Sequence, residues 1–301
     1  MSSNSNRKKN GITGNKNTAE KKGFSSPKLQ ELAKNKTFMK FATIAVAFIL
    51  IAVILVASGL VPLSQYTGFT GSNNSNSPLS YIQSSTFTQI SNGNVENNNQ
   101  VNIYIVSWRG CPIGAAESWI WYNYFGQSNS TGYITSSNHT SSPFDVTPVV
   151  PGLLFTNSTF QIGKIHINFN IFYVYSENLP PLLDRNQAFV NQEINTLKSA
   201  SVKNFPQQAV NDFVTYQTYV PTTINFHNGS TKTEPLANYA GHLTTCIIIS
   251  GNNGTFFLEG SLLHIQSFEG IPPSYMLNNS YQEPGISSNV NYVSNVISAA
   301  S

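Results

Sequence analysis

The chain has 301 residues, enough for one or two domains, and is 40% hydrophobic with only 10% charged side chains. Its formal net charge of +3 divides unevenly: residues 1–40 hold ten Lys and Arg against Glu20 and Glu31, and everything after Lys40 holds six basic and eleven acidic residues. A basic surplus confined to a tail, ahead of a net-negative remainder, is not the footprint of a nucleic-acid-binding surface, so no nucleic-acid partner is expected.

Residues 1–40 read as a basic cytoplasmic tail. Up to residue 28 they are Asn, Ser, Lys and Gly with almost nothing to bury, and are therefore expected to be largely disordered; the last dozen can extend a helix inward among lipid headgroups. From Phe41 to Leu63 no residue is charged. As helix, 41–61 spans about 31 Å, matching a hydrocarbon core of about 30 Å. It reads as a transmembrane helix that meets membrane lipid directly. The rival reading is a cleaved signal peptide with Ala57-Ser58-Gly59 as the small-residue site, though its apolar region would be longer than usual. Lysines on the N-terminal flank put the tail inside and the remainder outside, in the manner of a signal-anchor at the cell membrane. Acceptor Asn-X-Ser/Thr sites agree: Asn73, Asn129, Asn138, Asn157, Asn228, Asn253 and Asn278 follow the span and only Asn35 precedes it, so the outer part is expected to be a glycoprotein.

Residues 62–78 are expected to form a flexible stalk and 79–301 the outer domain. Residues 86–90 are ambiguous. The run 101–108 (VNIYIVSW) reads as a buried strand, and 112–126 as a helix with Pro112 in its first turn. Strands follow at 131–137, 148–155 and 164–176. Asp184 with Gln187 suggests a capping box for a helix bearing Val190, Ile194 and Leu197, and Pro206 starts another with Ala209, Val210, Phe213 and Val214. Runs 243–250 and 255–263 flank Gly251-Asn252-Asn253-Gly254, read as a four-residue hairpin loop, and a C-terminal helix carries Val290, Val293 and Ile297. This order predicts an α/β fold with a mixed sheet and flanking helices.

The chemically distinctive segment is Trp108-Arg109-Gly110-Cys111-Pro112-Ile113-Gly114-Ala115-Ala116-Glu117. It sets a cysteine where a strand ends and a helix begins, where the helix N-terminus favours a thiolate. The five histidines show no metal-ligand spacing, and no nucleophile elbow, phosphate loop or HEXXH is present, so no metal or cofactor is expected. The aromatic cluster Trp119, Trp121, Tyr122, Tyr124 and Phe125 reads as core packing, with a carbohydrate- or peptide-binding surface as the alternative. Low charge with abundant Asn, Ser, Thr and Tyr suits a surface facing acid, where carboxylates protonate.

Cys111, Pro112, Ala115, Ala116, Glu117 and Trp119, with the strand before them, resemble the archaeal family called domain of unknown function 929, a thioredoxin-like group whose members typically read Cys-Pro-Tyr-Cys-Ala-Ala-Glu-Arg-Trp. The resemblance is loose over 79–300 and good over 101–126. It implies a thioredoxin-like mixed sheet, with Trp108, Arg109, Gly114, Thr244 and Thr245 around the cysteine as binding residues. It also implies what is missing: Gly114 stands where the second cysteine would be, Ser118 replaces the arginine, and Gly241 to Cys246 contains no proline where a cis-proline belongs. Three functional readings follow. The leading one is a degenerate, non-catalytic binding or structural module of the cell envelope, with an envelope protein or glycan as partner. The second is a thiol-disulfide exchange protein using Cys111 with Cys246, the latter otherwise being a structural-disulfide partner or a buried small residue. The third is a surface sugar-binding or adhesion protein.

Overall fold

The computed structural model describes residues 78–301 apart from Asn97 and segments 128–135, 145–148, 181–183, 201–204 and 226–229. The tail, the 41–61 span, nearly all of the stalk, and Asn35, Asn73, Asn129 and Asn228 lie outside the described residues. Among the described residues no helix is long and apolar enough to cross a membrane.

The described residues form a mixed α/β domain. In chain order its elements are β1 (Ile82–Gln83), β2 (Thr88–Ser91), β3 (Val101–Ser107), α1 (Pro112–Gln127), β4 (Ser136–Thr140), β5 (Pro151–Phe155), β6 (Ser158–Ile162), β7 (Ile165–Tyr173), α2 (Gln187–Ala200), α3 (Gln207–Thr218), β8 (Thr222–Asn225), β9 (Thr231–Glu234), α4 (Leu236–Ala240), β10 (Cys246–Gly251), β11 (Gly254–Glu259), α5 (Pro273–Asn279) and α6 (Ile286–Ala300). A six-stranded sheet runs β2-β11-β10-β3-β7-β6, in which β3 and β7 are parallel and the other neighbours antiparallel.

Every residue of β3 and β10 is buried, as strands covered on both faces must be. Side-chain alternation sends Ile103, Ile105, Ile247, Ile249 and Leu258 to one face, where they form a core with Trp119, Ile120 and Phe125 of α1 and Val293 and Ile297 of α6. Tyr104, Val106, Ile248 and Phe257 take the other face with Val190 and Leu197 of α2 and Val210 and Phe213 of α3. β3 lies between β10 and β7, so the β3–α1 junction sits at the C-terminal ends of β3 and β7, beside the start of β10.

Sequence and structure differ where short polar segments are held by partners distant in the chain. The strand expected at 164–176 is present as β7, and a strand not expected, β6, pairs with it as a hairpin turning at Gly163-Lys164. Of the strand expected at 131–137, residues 131–135 lie outside the described residues and 136–137 begin β4, antiparallel to β5. The hairpin loop is shorter than expected, because Gly251 pairs with Gly254 and leaves only Asn252-Asn253 as the turn. α2 is capped by Asn186, whose Oδ1 accepts the N–H groups of Ala188 (2.9 Å) and Phe189 (3.3 Å), rather than by a box built on Asp184. The aromatic cluster is core: Trp119, Trp121, Tyr124 and Phe125 are buried, with Phe125 stacked on Phe160 at 3.8 Å between centroids.

Candidate functional site

β3 ends at Ser107, and four residues later Cys111 opens α1. The Cys111 N–H donates to the Trp108 carbonyl at 3.0 Å, and the Cys111 carbonyl accepts from the Ala115 N–H at 2.8 Å, so the cysteine sits at the helix start, as the sequence predicts. Gly110 is required here: a Cβ would lie 1.8 Å from the Glu177 carbonyl oxygen and 2.8 Å from Ser142 Cβ. The β4–β5 insertion closes the flank of α1, for the Ser118 hydroxyl accepts the Leu153 N–H at 2.8 Å and Trp119 Nε1–H donates to the Pro151 carbonyl at 2.9 Å.

The segment before β10 does reach Cys111. Thr245 Oγ1–H donates to Cys111 Sγ at 2.9 Å, and Ser107 Oγ lies 2.7 Å from Thr245 Oγ1. With the Thr245 hydrogen committed to sulfur, Ser107 is the donor of that second bond, giving a relay from Ser107 through Thr245 to Cys111. Gly114 closes over the same pair: a Cβ on it would stand 2.5 Å from Ser107 Oγ and 3.2 Å from Thr245 Oγ1. The absent second cysteine and the two hydroxyls are therefore one arrangement in space.

Thr244 and Cys246 turn the other way, toward α3. Gln217 Oε1 accepts the Thr244 N–H at 2.8 Å and the Thr244 hydroxyl at 3.4 Å, while Gln217 Nε2 donates to Cys246 Sγ at 2.8 Å. Burial pushes the Cys246 thiol well above its ordinary pKa, with the nearby Glu259 adding to the effect and Gln217 opposing it. Cys246 is thus held as a neutral thiol. Neither cysteine is in a disulfide, and both are buried, at 3% exposure for Cys111 and 1% for Cys246.

Trp108 is buried and meets the His242 ring edge-on, with centroids 6.2 Å apart, whereas Arg109 is exposed and its N–H donates to the Tyr175 carbonyl at 3.3 Å. Trp108, Arg109, Gly114 and Thr245 line one small cleft beside α1, and Thr244 does not. Ser107 and Glu117 also line it. Both were legible as site residues: Ser107 ends the buried strand that points at the cysteine, and Glu117 lies three residues beyond Gly114, one turn along the same helix face. Burial pushes the Glu117 carboxyl up to about 8, against the lowering effect of the Leu262 N–H that it accepts at 3.0 Å. Among the described residues no group of His, Cys, Asp and Glu could hold a metal ion. The acceptor residues Asn138, Asn157, Asn253 and Asn278 are all exposed.

A mixed α/β domain whose single helix-start cysteine rests on a Ser–Thr hydroxyl pair, with glycine opposite, defines the class of protein. The chain belongs to the family described as Domain of unknown function (DUF929), whose model matches residues 86–299. No curated protein and no solved structure matches it.

Proposed function

We propose that this chain is a membrane-anchored, extracellular domain of thioredoxin-like build that has given up dithiol chemistry and serves the cell envelope as a binding or structural module. The order β7-β3-β10-β11, with α1 after β3, helices between β7 and β10, and α6 after the β10–β11 hairpin, supports the thioredoxin-like reading. The anchor and its orientation rest on the sequence: the charge step at Lys40, the uncharged span 41–61 that meets membrane lipid, and the acceptor sites beyond it. An envelope protein or a glycan is the partner such a position offers.

The observation that carries the loss of chemistry is the packing at Gly114. A thiolate at Cys111 that attacked a substrate disulfide would form a mixed disulfide, which a neighbouring thiol must then attack to release product. At position 114 there is no thiol, and the space a Cβ would enter already holds Ser107 Oγ. Cys246, the other sulfur, is buried and held neutral against Gln217. The test is an insulin- or dithiol-reductase assay on the purified outer domain, and the expected result is no turnover. Turnover abolished by Cys111→Ser would make the exchange reading correct, and its further loss with Cys246→Ser would identify the second cysteine as the resolving thiol.

A further inference from the structure

We infer that Asn157 is the acceptor at which an N-linked glycan caps the free edge of the six-stranded sheet. The inference rests on the extracellular reading proposed above, which puts the acceptor residues where glycosylation takes place, and it gives one of them a structural task.

The two edges of the sheet are β2 and β6. β2 is protected by its own build. It has four residues, and because Ser91 pairs with Thr255 and Gln89 with Phe256, Ile90 is left over as a bulge. A short, bulged edge resists pairing with a foreign strand. β6 has no such defence. Its five residues, Ser158-Thr159-Phe160-Gln161-Ile162, pair with β7 without a break in register, and none is charged or proline. Phe160 is fixed in the core by stacking on Phe125, while Thr159 and Gln161 are exposed. In an antiparallel pair every second residue of the edge strand turns its N–H and C=O groups away from its neighbour. On the outer side of β6 those groups have no backbone partner among the described residues. An uncharged, regularly paired edge about 17 Å long, at about 3.4 Å per residue, is a template for a second chain.

The residue at the head of this edge is Asn157, and Asn157-Ser158-Thr159 is an acceptor sequence. The fold orients its side chain, for Oδ1 accepts the Ile171 N–H of β7 at 2.9 Å and prolongs the β6–β7 ladder past the Ser158–Phe169 pair. Asn157 is exposed, and Nδ2, the atom that carries a glycan, makes no hydrogen bond among the described residues. Two other exposed acceptors use that nitrogen: Asn253 Nδ2 donates to the Ser301 carbonyl at 2.6 Å and Asn278 Nδ2 to the Ser274 carbonyl at 3.4 Å. In the transfer, Nδ2 gives up a proton and bonds to the anomeric carbon of a lipid-phosphate-linked glycan. The bond from that carbon to the phosphate oxygen breaks, and the lipid phosphate leaves. Oδ1 is untouched and keeps its bond to Ile171. A glycan is bulky and solvated. Held at the start of β6, it bars an incoming strand from the edge, as a lysine or a bulge does on other sheets.

The test uses the full chain made in its native host, where peptide mass spectrometry is expected to find glycan on Asn157. Thr159→Val removes the acceptor sequence but keeps Asn157, its bond to Ile171 and a good strand former. Thr159→Lys removes it and adds a charge to the edge strand. In detergent, the parent and Thr159→Lys proteins are expected to sediment alike over a wide range of concentration. Thr159→Val is expected to shift to dimers or larger species as concentration rises, with slower hydrogen exchange at the amides of 158–162. Glycan on other acceptors with Asn157 bare overturns this inference alone, whereas glycan on none beyond the span overturns the extracellular reading with it. A Thr159→Val protein that sediments as the parent does, or that associates without slower exchange in β6, also overturns the inference. So does association of Thr159→Lys to the same extent.

Discussion

Gly114, Ser107 and Thr245 occupy one small volume, and a change at any of them is felt by the others. A Cβ at 114 meets Ser107 Oγ at 2.5 Å, but the contact is with the rotatable end of a short side chain, and Ser107 Cβ stays at 3.5 Å. Gly114→Cys is therefore expected to destabilise the domain by about 1–3 kcal/mol through overpacking and the displaced hydroxyl. Ser107→Ala in the same chain should recover much of that loss, giving a favourable coupling in a double-mutant cycle of urea midpoints. Additivity of the two changes would show that the hydroxyl and the Gly114 site do not share space. A cysteine introduced at 114 must therefore dislodge Ser107 from its bond to Thr245 before its sulfur can take up the dithiol spacing.

At the scale of elements, local signals were read well where the helix or strand carries its own periodicity, and poorly where a distant partner supplies the reason. α2, α3 and α6 were legible from apolar spacing, α1 from Pro112 at its first turn, and β3 and the β10–β11 hairpin from their apolar runs. β1 was not, since two residues become a strand only by pairing in parallel with β8 across well over a hundred residues, and neither were β8 and β9, short polar-leaning segments that pair with each other. The start of α2 shows a subtler limit. Asp184 and Gln187 have the spacing of a capping box, yet the bonds to Ala188 and Phe189 come from Asn186. Asn186→Ala is accordingly expected to cost about 1 kcal/mol of stability, and Asp184→Ala only a few tenths, in chemical denaturation. Equal costs would return the cap to Asp184.

Across the whole molecule, three buried glutamates share one feature. Glu117, Glu193 and Glu259 each engage one oxygen, by Leu262 N–H, Leu243 N–H and Thr222 O–H respectively, and leave the other without a partner among the described residues. Burial is the main cause that pushes each up to about 8 from an ordinary value of 4.5. Since the folded pKa lies above the unfolded one, the fold favours the neutral acid. That contribution is complete below about pH 4.5 and is lost as pH rises through about 8. Each glutamate lowers stability by at most about 1.4 kcal/mol per pH unit in that window. Urea midpoints should therefore fall from acid to mildly alkaline pH, and a triple Glu→Gln variant should flatten the profile. A midpoint that rises over the window would contradict this account.

Topology is tested separately, by mass spectrometry of protein from its native host. Glycan is expected on several of Asn73, Asn129, Asn138, Asn157, Asn228, Asn253 and Asn278, and none on Asn35. Glycan at Asn35 would invert the orientation.

The sequence by itself determined the mixed α/β class, the two buried central strands, the cysteine at the start of α1 and the absence of a second one, because each is written in periodicity or in residue identity along a short stretch. The tertiary structure alone decided what surrounds that cysteine. Thr245 lies 134 positions from Cys111 and Ser107 lies 138 from Thr245, so the relay exists only once β10 pairs with β3. The same holds for Cys246, which reads as a possible partner for Cys111 in the sequence and is turned toward Gln217 in the fold. Successive residues of an extended chain face opposite ways, so Thr245 reaches Cys111 and its two neighbours, Thr244 and Cys246, reach α3 instead.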